Sequence, residues 1–417
     1  MIRTLFLHIG FHKTASTAIQ DTFHKNRKLL ESVGYLYPDF RVGTRIITNH
    51  SEVFYSMFCA EPEKYHMNLV KNYNTPEKIE ALHADYHRQF QQQIRSFSGN
   101  NLVISGEGIS LLEEDQLNAF KNYLIQNTHP AIRIRVIAFV RHPVDWTVSK
   151  IQEVVKGGNS IHKAVERNLK NQKPFFKLLS LKYKKCFSEH DVELYRFEDA
   201  VKHQNGITGQ FLTILGVRTN AARQILNEFA NVSLSHEATV LLSGIFEKMP
   251  LYIGNRKNPD LNDFNREYIF EVPGQKFSVS PEVKSKIWAG AQADVAWLHE
   301  TMNFPKYRYV NQKQDDNQKW NEEVIRFLDT AFLSRFSDPV TVLILNEILL
   351  EIRRYRKVFD MDKKIALFAF WEKNSGCYRF KSKNEKNTCI KKHMGRVNTA
   401  KIRLAIFMRT KFPAFYP

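Results

Sequence analysis

The chain has 417 residues, 43% hydrophobic and 25% charged, with 61 Lys and Arg against 43 Asp and Glu, a net charge of +18. That apolar content supports one large or two ordinary cores and excludes a disordered chain, and the positive excess favours anionic partners without naming them. Four cysteines, Cys59, Cys186, Cys377 and Cys389, are too few and too scattered for a disulfide scaffold, and the last two lack the nearby His-Cys grouping of a zinc site.

The first element is an apolar run from Thr4 to Ile9, with Leu5 to His8 strand-like. It meets Gly10 and then Phe11-His12-Lys13-Thr14-Ala15-Ser16-Thr17, and a helical pattern follows with Ile19, Phe23 and Leu29/Leu30 on one face. A helix start offers unpaired N–H groups and a partial positive charge, so this loop predicts an anion site completed by Lys13 and the hydroxyls. A nucleoside-triphosphate loop needs four residues between its first Gly and a Gly-Lys-Ser/Thr. Here two residues separate Gly10 from Lys13 and no Gly precedes the lysine, which suits one phosphate carrying one further anionic group.

Asn72 to Phe97 reads as a polar helix, and further strands are predicted at Leu102 to Ser105, Ile132 to Val140 and Val192 to Phe197, each followed by helical sequence. That order is an α/β pattern, whose parallel sheet binds ligands beyond its strand carboxyl ends. Gly10, Glu107 and Arg141 would all lie there. The strand Ile132 to Val140 delivers Arg141-His142-Pro143, and Ser149 follows eight residues after Arg141, about two turns into the next helix. An arginine fork suits phosphate because it makes paired, charge-assisted bonds.

The two motifs resemble those of the PAPS-dependent sulfotransferases, whose loop reads approximately Gly-x-x-Lys-Thr-Gly-Thr-Thr and whose second motif reads Arg-x-Pro-x-x-x-x-x-Ser. Gly10, Lys13, Thr14, Ser16 and Thr17 fit the first, with Ala15 in place of its usual glycine, and Arg141 and Ser149 fit the second. Ile207 to Val217, the segment from Asn231 to Ser235 and Asp294 to Leu298 are similar to fold markers of bacterial members, carrying the resemblance to about Pro305. It implies a P-loop sulfotransferase-type parallel sheet flanked by helices, over residues 1–306. It also implies PAPS (3′-phosphoadenosine 5′-phosphosulfate) as donor with no metal, and a carbohydrate acceptor. Residues 10–17, Phe11 and His12 included, would hold the 5′-phosphosulfate, and Arg141 and Ser149 the 3′-phosphate.

Transfer of a sulfuryl group asks for alignment, charge neutralisation and a proton acceptor. Lys13 is the electrostatic candidate. Two bases remain open: His50, in Thr48-Asn49-His50-Ser51, near where carbohydrate sulfotransferases often carry a histidine, and Glu107, in Ser105-Gly106-Glu107-Gly108. Two other classes compete with this assignment. A small-molecule kinase lacks the Gly-Lys-Ser/Thr spacing, and a nucleic-acid or anion binder lacks any helix-turn-helix, zinc-finger or RNA-recognition signature.

Lys248 to Phe277, rich in Pro, Asn and aromatics, is expected to be a surface loop or acceptor-binding insertion. Asn311 to Asn321 is a polar linker, and Val324 to Phe332 and Val340 to Ile352 have helical spacing. From Lys373 to Lys411 there are twelve Lys or Arg against one acid, Glu385. Residues 307–417 are therefore expected to be a helical basic extension, either a solvated appendage or an arm that docks on an acidic membrane surface or a partner enzyme. No apolar run spans a membrane and the first one is too short for a signal peptide. The expected location is the cytoplasm, with peripheral contact at the inner face of the membrane as one use of the basic arm.

Overall fold

The structure, a computed structural model, describes residues 2–173, 175–217, 219–225, 233–253, 256–258, 261, 264–310, 322–328 and 330–336, with single positions 341, 345 and 348. The expected linker 311–321, most of 337–352 and the whole basic segment 373–411 lie outside the described residues. By packing, the chain divides into two compact units: Met1–Lys150, Leu169–Val232 and Pro281–Gln312 make the first, and Ile151–Asn168, Ser233–Ser280 and Lys313–Pro417 the second.

The first unit is built on a five-stranded parallel sheet. Its strands are β1 (Thr4–His8), β2 (Tyr35–Leu36), β5 (Asn101–Ser105), β6 (Arg133–Val140) and β7 (Val192–Arg196), in the order β2-β5-β1-β6-β7. Two short strands, β3 (Phe40–Val42) and β4 (Arg45–Ile47), form a separate antiparallel hairpin. The four strands expected from the sequence are present to within a residue at either end. The three inner strands were legible because a parallel sheet covered on both faces reads as largely apolar sequence, whereas the edge strand β7 alternates in polarity.

The period-2 alternation sorts that sequence between two cores. Leu5, Leu7, Leu102, Ile104, Val136, Ala138 and Val140 face one layer, with Phe54, Phe90, Phe120 and Phe176 from surrounding helices. Phe6, Val103, Ile137 and Phe139 face the other, covered by Ile19 and Phe23 of the first helix, Ser16–Lys25, and by Phe211, Leu212 and Leu215 of the helix Gly206–Leu215. His8 turns to this second layer. It is fully buried between the Phe139 and Phe211 rings, and burial holds its imidazole down at about 3, so it is neutral.

The sheet order also fixes where a ligand can sit. The chain leaves β1 toward β2 on one side and leaves β6 toward β7 on the other, although β1 and β6 are neighbours. Connections that diverge from adjacent strands open a crevice at their carboxyl ends.

In the second unit, Ser235 caps the helix His236–Lys248 by accepting from the Ala238 N–H at 2.9 Å. The segment Lys248 to Phe277 is expected from its sequence to be a surface loop or an acceptor-binding insertion. Its described part contains paired strands at Tyr252–Ile253 and Arg256–Lys257 and a short helix at Glu267–Phe270, and it buries Leu261, Ile269 and Val272. Those three apolar residues are scattered at no single period, which is why the sequence hid them. Two further helices, Glu322–Phe327 and Thr330–Ser334, follow. Among the described residues no helix is long and apolar enough to cross a membrane.

Asp294, in the helix Gln292–Met302, is buried and its carboxylate accepts from the Phe176 N–H at 3.3 Å and the Lys177 N–H at 2.9 Å. A distant residue thus caps the helix Phe175–Cys186. Burial raises the Asp294 carboxyl from 3.8 to about 6, against the opposing pull of those amides. The folded state therefore keeps a proton that the unfolded chain loses between about 4 and about 6. Measured as the difference in unfolding free energy from the non-titrating Asp294→Asn variant, wild-type stability should fall by roughly 2 kcal/mol as pH rises across that window. A difference that stays flat contradicts the assignment.

Candidate functional site

The loop after β1 departs from ordinary backbone at three places: Gly10 (φ 37°), Lys13 (φ 66°) and Ala15 (φ 60°) all have positive φ. For Lys13 and Ala15 that conformation costs roughly 1–2 kcal/mol each, so the surroundings must hold it. At Gly10 a Cβ would lie 2.9 Å from the Ser16 Oγ and 3.5 Å from the Glu107 Cβ. Only glycine lets the strand end, the helix start and Glu107 meet.

Ala15 is the residue before the first helix, which has no side-chain cap and no acid in its first turn. Leading N–H groups that no side chain caps, with no local carboxylate, form the arrangement that favours an anion. The loop residues divide by depth. Phe11 is fully buried against Phe175 and Phe176, at ring separations of 5.9 and 5.4 Å, and anchors the loop. Thr14 is also sealed beneath it, donating its hydroxyl to the Phe11 carbonyl at 3.3 Å, so its side chain closes the loop instead of facing outward as expected. His12, Lys13, Ala15 and Thr17 are half-exposed, and Ser16 is buried beside Gly10.

The second motif packs onto this loop. Arg141, one residue past β6, donates from Nη1 to the Lys13 carbonyl at 3.1 Å, and Trp146 donates its indole N–H to the His12 carbonyl at 2.7 Å. Two consecutive carbonyls are thus drawn toward the helix Pro143–Lys156. Because trans peptides set C=O and the next N–H in opposite directions, the amides of Lys13 and Thr14 are turned the other way. Burial pushes the Arg141 guanidinium below its ordinary value, opposed by the Asp145 and Glu198 carboxylates, and the Phe197 ring lies 5.2 Å from it. Ser149 is half-buried in the same helix.

Behind Arg141, the Glu198 carboxylate accepts from the His142 N–H at 2.6 Å and from the Tyr307 hydroxyl at 3.1 Å. Tyr307 also donates to the Val140 carbonyl at 3.3 Å, at the end of β6. These supports lie at widely separated positions in the sequence and have no shared motif, so they could not have been read from it.

The two candidate bases part company. His50 is fully buried, stacked on Tyr37 with ring centroids 4.3 Å apart. Its Nε2 lies 2.9 Å from the Pro38 carbonyl and its Nδ1 3.1 Å from the Ser105 N–H, so Nε2 donates and Nδ1 accepts. Both nitrogens are engaged, and burial lowers the imidazole to about 4. The expectation of His50 as base is corrected on that ground, because it has no lone pair or surface to offer an acceptor. It pins residues 48–51 to the end of β5.

Glu107 opens a short 3-10 helix, Glu107–Leu111, after Gly106, whose N–H bonds the His8 carbonyl at 3.0 Å. It is half-buried beside the loop, and its two carboxylate oxygens accept from Gln20 Nε2 at 2.8 Å and Asn49 Nδ2 at 3.2 Å. Gln20 and Asn49 were not found from sequence, since amide side chains at such separations carry no pattern. Among the described residues no group of three or more His, Cys, Asp or Glu side chains converges to hold a metal.

No family model matches this chain. No curated protein matches it in sequence. Among solved structures it is similar to a sulfotransferase from Alicyclobacillus acidocaldarius, at 12% identity over 73% of this chain and 97% of that one, with a TM-score of 0.38.

Because His50 is held neutral in the fold, its loss should register as stability. His50→Ala leaves the Ser105 N–H and Pro38 carbonyl unpaired and should cost on the order of 2 kcal/mol or more at pH 7. The deficit relative to wild type should shrink as pH falls from 6.5 toward about 4, where unfolded wild-type chain takes up a proton the fold refuses. An unchanged melting temperature with lost activity would restore the histidine as base.

Proposed function

We propose that this protein is a sulfotransferase that moves a sulfuryl group from PAPS to a hydroxyl or amine of a carbohydrate. The observation that carries the proposal is the 3.1 Å bond from Arg141 to the Lys13 carbonyl. It brings two anion-seeking segments, 128 residues apart, to one crevice between neighbouring strand ends. A donor with anionic groups on both the 3′ and the 5′ oxygen of its ribose requires two such places.

The residues present fit that donor. Gly10 leaves room for close approach, and the uncapped first turn around Ala15, Ser16 and Thr17 with Lys13 suits the 5′-phosphosulfate. A half-buried guanidinium that has lost hydration gains more from a phosphate than an exposed one does, which suits Arg141, with Ser149, to the 3′-phosphate. When bound, PAPS supplies the activated sulfuryl group and departs as 3′-phosphoadenosine 5′-phosphate. Lys13 offsets charge on the departing phosphate, and Glu107 takes the proton from the acceptor while the new bond to sulfur forms. The carbohydrate preference rests on the resemblance of the loop and on the basic surface, and the excess of +18 suits an acidic glycan.

Thermal unfolding with 3′-phosphoadenosine 5′-phosphate, ADP and ATP tests this. A ligand at a hundredfold over its dissociation constant adds about 2.7 kcal/mol to stability. The bisphosphate should raise the melting temperature more than ADP or ATP with magnesium, Arg141→Ala should remove that rise, and Lys13→Ala should abolish transfer. No shift with the bisphosphate overturns the proposal, and a larger shift with ATP points to a kinase.

A further inference from the structure

The first helix carries, one turn beyond the loop, a side chain whose partner lies across the sheet edge. Gln20 stands four residues after Ser16, so the two share one face of the helix, and both are buried. Ser16 meets Gly10, and Gln20 reaches Glu107. Nε2 of Gln20 donates to Oε2 of Glu107 at 2.8 Å and lies 3.4 Å from Oδ1 of Asn49, and Nδ2 of Asn49 donates to Oε1 of Glu107 at 3.2 Å. Asn49 is itself fixed, its Oδ1 accepting from the Ser51 N–H at 2.9 Å. The three side chains close a triangle with one amide on each carboxylate oxygen. A carboxylate only accepts, which also settles the direction of both amides.

We infer that Gln20 and Asn49 are positioning residues that aim the Glu107 carboxylate at the acceptor, which rests on the sulfotransferase proposal above. A carboxylate on a free side chain samples several rotamers, and two amides from different elements select one. Each oxygen can accept more than one bond, so a second lone pair stays available for the acceptor's proton. Tying that aim to the helix whose start faces the anion loop sets the base at a fixed place relative to the donor. A misplacement of about 1 Å at such a centre costs about 100-fold in rate.

The test is a double-mutant cycle on the full chain, following release of 3′-phosphoadenosine 5′-phosphate from PAPS with a panel of hexosamine and uronic-acid oligosaccharides as acceptors. Gln20→Met and Asn49→Ala should each lower kcat about 100-fold with acceptor KM little changed, and the melting rise with the bisphosphate should persist. Asn49 is half-exposed, so its variant keeps the test usable where the buried Gln20 change unfolds the chain. In a Glu107→Ala background neither change should cost more than about twofold further, because the residue they aim is gone. Losses that add in that background overturn the positioning role and leave the transferase standing. A wild-type chain with neither bisphosphate binding nor release overturns the function and this inference together.

Discussion

Where two strand-end loops leave neighbouring strands in opposite directions, something must keep them from parting, and in this fold that is the bond from the Arg141 guanidinium to the Lys13 carbonyl. The adjacent bond from Trp146 to the His12 carbonyl reinforces it, so Arg141 and the first turns of the helix Pro143–Lys156 that follows it hold two successive peptides of the loop. This restraint explains how Lys13 and Ala15, neither of them glycine, persist at positive φ. Strain of that kind survives only where several contacts over-determine it, and Phe11, packed beneath among aromatic rings, supplies the rest.

Behind the crevice lies a buried polar frame that does no proton chemistry. His8 approaches the Ser105 hydroxyl at 2.8 Å, and His50 accepts from the Ser105 N–H, both rings neutral through burial. Tyr37 donates to the Thr48 carbonyl and stacks on His50, and Thr48 donates to Asp21 of the first helix at 2.8 Å. The segment bearing Asn49 is thereby fixed to the end of β5 and to the first helix at once. Titratable side chains divide between a sealed frame and an accessible edge, and Glu107 belongs to the edge.

The parallel sheet was legible because β1, β5 and most of β6 are apolar runs, and β7 alternates Val192, Leu194 and Arg196 with Glu193 and Tyr195 before helical sequence. β2 was not, since Tyr35–Leu36 is two residues long and owes its place to pairing with Asn101 and Leu102. The hairpin at 40–47 mixes arginines with apolar residues and shows no alternation longer than three. In the candidate site, Gly10, Lys13 and Arg141 could be singled out because binding an anion would call for those residue types next to strand ends, and Arg141 bonds the Lys13 carbonyl there. Thr14 and His50 misled for one reason: a hydroxyl or imidazole in sequence has the same letters whether it faces a ligand or a carbonyl. Gln20, Trp146, Glu198 and Tyr307 act through partners more than 50 residues away, a relation only tertiary structure creates.

In the proposed function the 10–17 loop and the 141–149 segment hold the two anionic groups of one ligand. A crystal structure with 3′-phosphoadenosine 5′-phosphate bound tests it most directly. The 5′-phosphate is expected against the first turn of Ser16–Lys25 and the 3′-phosphate against Arg141 and Ser149, with Arg141 still bonded to the Lys13 carbonyl. A bisphosphate seated elsewhere, or at one segment with the other out of reach, would contradict it.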